Sequence, residues 1–132
     1  SKKTDINIPL KFVSNILKNR SIAFIISDFI SQDYSNSLKI FSSRHDVTGI
    51  RIYDKTEEII PNLGVIDIND NETGKRITVN TSSKKIRRKY NEYYNSKRRE
   101  FVDYFKRSGS GIIECNTNDD YQKKLLKYFK SR

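Results

Sequence analysis

Methionine and tryptophan are absent from this chain, and histidine, cysteine and proline are nearly so. The one cysteine, Cys115, excludes a disulfide framework and a cysteine zinc cluster within these residues. The one histidine, His45, comes with no positioned nucleophile, which makes a poor case for catalysis. Two prolines and five glycines leave no low-complexity tract, and no internal repeat is present. No Gly-x-Gly-x-x-Gly or Walker loop occurs, and Gly109 and Gly111 precede a strand pattern rather than a helix. The longest apolar run, Ile22 to Ile26, falls far short of the roughly 20 residues that span a bilayer. No secretory pattern occurs at Ser1, although residues upstream could have carried one. A cytoplasmic, non-enzymatic protein with no membrane span is expected.

What the chain has in plenty is positive charge. Its 132 residues suit one domain with a core that needs no disulfide, and they carry a net +10. Ten basic residues and three acids lie between Lys84 and Arg107, a net +7 that leaves only +3 elsewhere. Any polyanion binding therefore reduces to this one segment. The missing methionine, and an opening on a basic loop rather than a strand, point to the C-terminal part of a longer protein.

Apolar periodicity divides the chain into alternating elements. Ile6, Leu10, Val13 and Leu17, flanked by Phe12 and Ile16, predict a helix over 5–19 with Pro9 in its first turn. Ser21 to Asp28 is a β-branched and aromatic run, as expected of a strand covered on both faces. A helix over 34–44 with Leu38 and Phe41 inward and a strand over 47–54 follow. Residues 55–63 read as a loop containing Pro61. Residues 64–81 read as an inserted β-hairpin with Ile66, Ile68, Ile77 and Val79 on one face. Ser82 or Ser83 can cap a helix running to Arg107, whose expected buried stripe is Ile86, Tyr90, Tyr94, Phe101 and Phe105. Ser108-Gly109-Ser110-Gly111 stops it. A strand over 111–116 precedes a last helix capped by Thr117 or Asn118, with stripe Tyr121, Leu125 and Phe129. The pattern predicts an α/β fold: a doubly wound, mostly parallel sheet with helices on both faces, plus the hairpin.

Several stretches carry a family likeness in collinear order. They are Thr4-Asp5 before a helix, Arg20-Ser21-Ile22 leading to Ile26-Ser27-Asp28-Phe29, and Arg44-His45-Asp46-Val47. Tyr53-Asp54, Glu58 with Pro61 and Gly64, Asp70-Asn71-Glu72-Thr73-Gly74, Asn80-Thr81-Ser82 and Phe129-Lys130-Ser131-Arg132 complete the set. On these the chain resembles the C-terminal part of the domain-of-unknown-function 58 family, whose core is von Willebrand factor A-like. The resemblance implies that residues 1–132 are part of one such domain, lacking N-terminal strands that would carry Asp-x-Ser-x-Ser. It further implies a metal-ion-dependent adhesion site in the intact protein, with Thr4 and Asp28 among the ligands of Mg²⁺ or another divalent cation. The one Asp-x-Ser-x-Ser here, Asp33 to Ser37, lies at the start of the helix over 34–44 and not on a strand ahead of Thr4, so the fragment itself is expected to hold no cation. A MoxR-type AAA+ ATPase or an acidic client is the implied protein partner, in assembly or maturation.

Each candidate also has a plain structural reading. Thr4 suits a helix N-terminus and Asp28 a turn at a strand end. Asp54 suits a loop cap, His45 a structural cap beside Asp46, and Cys115 a small buried position in the last strand. The basic helix offers Arg87, Arg88, Arg98 and Arg99 to a partner. The alternatives are a solvated outer face or nucleic acid, which the interleaved tyrosines would suit. Without upstream strands, Ser21 to Asp28 would be a long apolar edge prone to dimerisation or strand swapping.

Overall fold

The computed structural model describes residues 5–55, 62–69 and 74–132, and the side chain of Ile68 is outside that description. The expected loop residues 56–61, the hairpin turn 70–73 and Thr4 lie outside the described residues. In chain order the elements are α1 (Asn7–Ile16), β1 (Ile22–Ser27), α2 (Ser35–Arg44), β2 (Asp46–Tyr53), β3 (Val65–Asn69) and β4 (Arg76–Asn80). Then follow α3 (Lys84–Arg107), β5 (Gly111–Asn116) and α4 (Tyr121–Lys130).

Strands β1, β2 and β5 form a parallel sheet in the order β1-β2-β5. Both crossovers, through α2 and through the hairpin with α3, therefore step the same way across the sheet. Right-handed crossovers that step the same way put their helices on the same face. The core agrees: Leu38 and Phe41 of α2 and Phe101 and Phe105 of α3 pack together with Leu10 of α1 and with Ile6 just before it. They lie against Ala23, Ile25, Val47 and Ile112. The second face holds Ile50, Ile113 and Cys115 under Leu125 and Tyr128 of α4. Among the described residues, helices thus lie on both faces, three on one and α4 on the other.

Two glycines admit the helices to the sheet. A Cβ on Gly49 would strike the Phe105 ring, and one on Gly111 would strike the Tyr128 hydroxyl. Through the second gap Tyr128 reaches Thr48 Oγ1 at 3.2 Å. At the end of β1 the chain turns through Phe29, whose φ of 59° is rare for a residue with a side chain. Burial offsets that strain. The Phe29 ring stacks on Phe101 at 4.4 Å and meets Phe105 edge-on at 5.2 Å.

The hairpin stands apart as a two-stranded sheet. Its backbone register sets Ile66 opposite Val79 and residue 68 opposite Ile77. Ser83 caps α3 by accepting from the Ile86 N–H at 3.4 Å. The helix ends in a Schellman motif: Ser110 N–H bonds to Phe105 O at 2.9 Å and Gly109, at φ 74°, bonds to Lys106 O at 3.1 Å.

Four expectations need correction. Strand β1 is not covered on both faces: Ile22 and Ile26 are 70% and 65% exposed, because among the described residues no helix lies on the second face above them. Helix α1 is shorter than 5–19, since Lys18-Asn19-Arg20 offers no apolar side to continue it. On α3 only Phe101 and Phe105 are fully buried; Ile86, Tyr90 and Tyr94 are half-buried, because the N-terminal half runs beyond the core. The N-cap of α4 is Asp120, accepting from Lys123 N–H at 3.2 Å, and its packed residues are Leu125 and Tyr128 while Tyr121 is exposed.

Gly49→Ala should lower stability by about 2 kcal/mol through overpacking against Phe105. Urea denaturation of Gly49→Ala, Phe105→Leu and the double variant checks it. The alanine should cost less once the ring is gone, so the two losses should not add.

Candidate functional site

The strands of a parallel sheet end on one rim, and that rim is where open α/β folds place ligands. Here it carries Ser27 and Asp28 after β1, Tyr53 and Asp54 after β2, and Asn116 after β5. The left-handed turn at Phe29 fixes the first pair. Ser27 Oγ accepts the Phe29 N–H at 3.0 Å, and Asp28 Oδ1 accepts the Ile30 N–H at 3.0 Å. The exposed Asp28 carboxylate is thereby anchored through one oxygen. Ser31, three residues on, is buried and accepts the Ile6 N–H at 3.1 Å, so the same loop clamps the start of α1.

Asp5 and Ser27 consequently face one groove of about 400 Å³, which also runs along Pro9, Val13 and Ile25. The neighbour of Thr4 and the neighbour of Asp28 share this groove; Thr4 itself lies outside the described residues. Among the described residues no group of three or more His, Cys, Asp or Glu side chains is placed to hold a metal.

A second polar constellation escaped the sequence reading. Arg51 of β2 and Glu114 of β5 are register partners on the three-helix face. Glu114 Oε2 accepts from Arg51 Nε and Nη2 at 3.2 and 3.0 Å. Arg98 of α3 grips the same carboxylate with both oxygens, at 2.9 and 3.0 Å. Arg51 is buried and its guanidinium lies 4.2 Å over the Tyr53 ring. Burial alone would raise the Glu114 carboxyl, but the hydrogen bonds from Arg98 and Arg51 outweigh it and hold the group below the usual carboxylate range. The sequence signal was there: opposite charges interrupt two otherwise apolar strands.

These contacts divide the basic helix. Arg98 is engaged with Glu114, Arg87 Nη1 donates to Thr81 O, and Lys97 Nζ donates to Ser31 O at 3.1 Å. Arg88 and Arg99 are exposed. So are Lys84, Lys85 and Lys89, all on the N-terminal half that overhangs the core.

The family model described as "Protein of unknown function DUF58" matches residues 1–100 of the 132. The chain belongs to the DUF58 family. It is also 25% identical over 118 residues to the Uncharacterized protein MAV169 of Mycobacterium avium, covering 87% of this chain and 68% of that protein. No solved structure matches it.

In this DUF58 chain the remaining candidates have structural surroundings. His45 is buried; its Nδ1 accepts the Ser21 N–H at 3.0 Å, and its Nε2 has no partner among the described residues. No His45–Asp46 pair forms, because Asp46 binds Arg132 at 3.0 Å instead. Cys115 is buried in β5, and Asp54 is half-buried. No helix among the described residues is long and apolar enough to cross a membrane.

The Glu114 clamp has a pH signature. Its folded carboxyl sits below the ordinary glutamate value, so its stabilisation is full above that value and lost as pH falls through the folded pKa. Glu114→Gln should cost about 2 kcal/mol near neutrality. Chemical denaturation between pH 7 and pH 3 should give a flatter acid limb for this variant than for the parent.

Proposed function

We propose that this DUF58 chain contributes to a von Willebrand A-like protein-interaction domain that performs no catalysis of its own. A divalent cation, such as Mg²⁺, would be held in the intact protein by Thr4, Asp28 and ligands from outside these 132 residues. It would accept a carboxylate from a client or from a MoxR-type AAA+ ATPase partner in assembly or maturation. The observation that carries the reading is the groove at the sheet rim. Asp5 and Ser27 line it together, and the turn at Phe29 holds Asp28 rigidly beside it. A pre-set carboxylate loses little freedom on binding, which favours coordination there over a mobile surface acid.

Mn²⁺ titration of the intact protein, with Thr4→Ala and Asp28→Ala beside it, checks this reading. Each variant should weaken binding at least tenfold, and cation-dependent capture of an acidic partner should fall in parallel. Equal affinity in all three proteins would discard the assignment.

A second reading rests on the overhang of α3, where Lys84, Lys85, Arg88 and Lys89 are all exposed. As a nucleic-acid module the chain would bind oligonucleotides with a steep salt slope. In gel-shift titrations at two salt concentrations, reversing Arg88 and Lys89 to Glu should then abolish binding, with Arg98→Ala affecting stability first.

A further inference from the structure

Helix α3 opens on five basic residues and no acid: Lys84, Lys85, Arg87, Arg88 and Lys89. We propose that this projecting half-helix binds B-form DNA, lying in the major groove and gripping phosphates on both of its walls. The inference rests on the nucleic-acid reading above and names the class of nucleic acid.

The first argument is a cost. A helix carries partial positive charge at its N-terminus, where acids stabilise it and bases do not. Lys84 with Arg88, and Lys85 with Lys89, are also like-charge pairs one turn apart, a destabilising spacing. Folding alone favours none of this, whereas a bound polyanion reverses the sign of each effect. The helix dipole then adds to the attraction.

Geometry supplies the second. At 3.6 residues per turn Lys84 and Arg88 form one row along α3, and Lys85 and Lys89 form another about 100° round the helix. All four are exposed. Arg87 lies on a different side and donates to Thr81 O, anchoring the base of the hairpin away from the two rows. Rows so placed can face both phosphate walls of a groove. The major groove of B-form DNA, roughly 12 Å wide, admits a helix, while that of an RNA duplex is too deep and narrow. The fully buried residues of α3 begin at Phe101, and Arg98 holds Glu114 just before it, so roughly 20 Å of helix stands ahead of the core. The strand that α3 packs on is β5, at the opposite edge of the sheet from β1, so this surface does not depend on what completes the sheet there.

The tyrosines decide between duplex and single strand. A single strand is held largely by stacking its bases on aromatic faces. Here those faces are engaged with one another. The Tyr90 and Tyr94 rings lie 4.7 Å apart with their hydroxyls 3.2 Å apart, and Tyr93 meets Tyr94 edge-on at 5.5 Å. All three are half-buried, which leaves the exposed rows to lysine and arginine. Glu92, the one acid between Lys84 and Arg99, lies a turn further on between the rows and opposes the phosphates.

The test uses the intact protein in EDTA, so that no cation enters the readout. Fluorescence anisotropy is followed with a labelled DNA duplex of about 20 base pairs, an RNA duplex of the same length and the single DNA strand. The DNA duplex should bind at least tenfold tighter than either of the others. Its logarithmic salt slope should be about −3.6, the value for four phosphates, and Lys84→Gln, Lys85→Gln, Arg88→Gln and Lys89→Gln should each flatten it by about 0.9. Glu92→Gln should tighten binding. Lys106→Gln, at an exposed residue about 27 Å along the helix from Arg88, should leave the slope unchanged. Single strand or RNA bound as tightly as the DNA duplex overturns the groove and leaves the broader nucleic-acid reading standing. A loss from Lys106→Gln as large as the others does the same, because attraction is then diffuse. No binding to any of the three at about 50 mM salt ends both.

Discussion

A helical crossover between parallel strands closes with one hand, and in this chain both crossovers step in one direction, from β1 to β2 to β5. The helices that make them are thereby stacked on one face, and the aromatic core of Phe29, Phe41, Phe101 and Phe105 gathers there. Among the described residues the other face receives only α4, which comes after the last strand, covers β2 and β5 and touches β1 through Phe129 edge-on to Phe24. The asymmetry is topological. Covering the open side of β1 takes strands that grow in the opposite direction or another molecule.

The same constraint organises the rim. Because α1 lies on the crowded face, its start is brought against the loop leaving β1 and is tied there by Ser31. The strained Phe29 is tolerable only because its ring is sandwiched in that core. Core packing and rim geometry are one system: loosening the ring would release Asp28. The Arg51–Glu114–Arg98 clamp plays a similar part lower on the sheet, fastening the long helix to two strands through one carboxylate. Removing that carboxylate would take a charged partner from a buried guanidinium, the costly way to weaken such a group.

Much of the architecture was legible in the residues. The strand over 111–116 fell where it was expected, because Gly109 in the left-handed region and the Schellman bonds stop α3 sharply. The two hairpin strands followed from alternation. What escaped was whatever depends on neighbours. A continuous run such as Ile22 to Ile26 reads alike whether one face or two are covered, so the open side of β1 was invisible. The cap of α4 was misplaced because β5 runs on to Asn116, and the turn to Asp119 consumes Thr117 and Asn118. Glu114 was passed over as one polar residue in a strand, since its partners come from β2 and α3, far away in the chain. At the candidate site the place of Asp28 just past β1 could be anticipated from element order, whereas the groove that Asp5 and Ser27 line could not.

The lone imidazole has an experimental use. His45 accepts the Ser21 N–H through Nδ1, so its neutral ring is fixed with the proton on Nε2, at the point where β1 begins. With no second histidine in the chain, its ring resonances in a proton NMR spectrum need no assignment. They form a built-in, label-free reporter of whatever happens to the first strand.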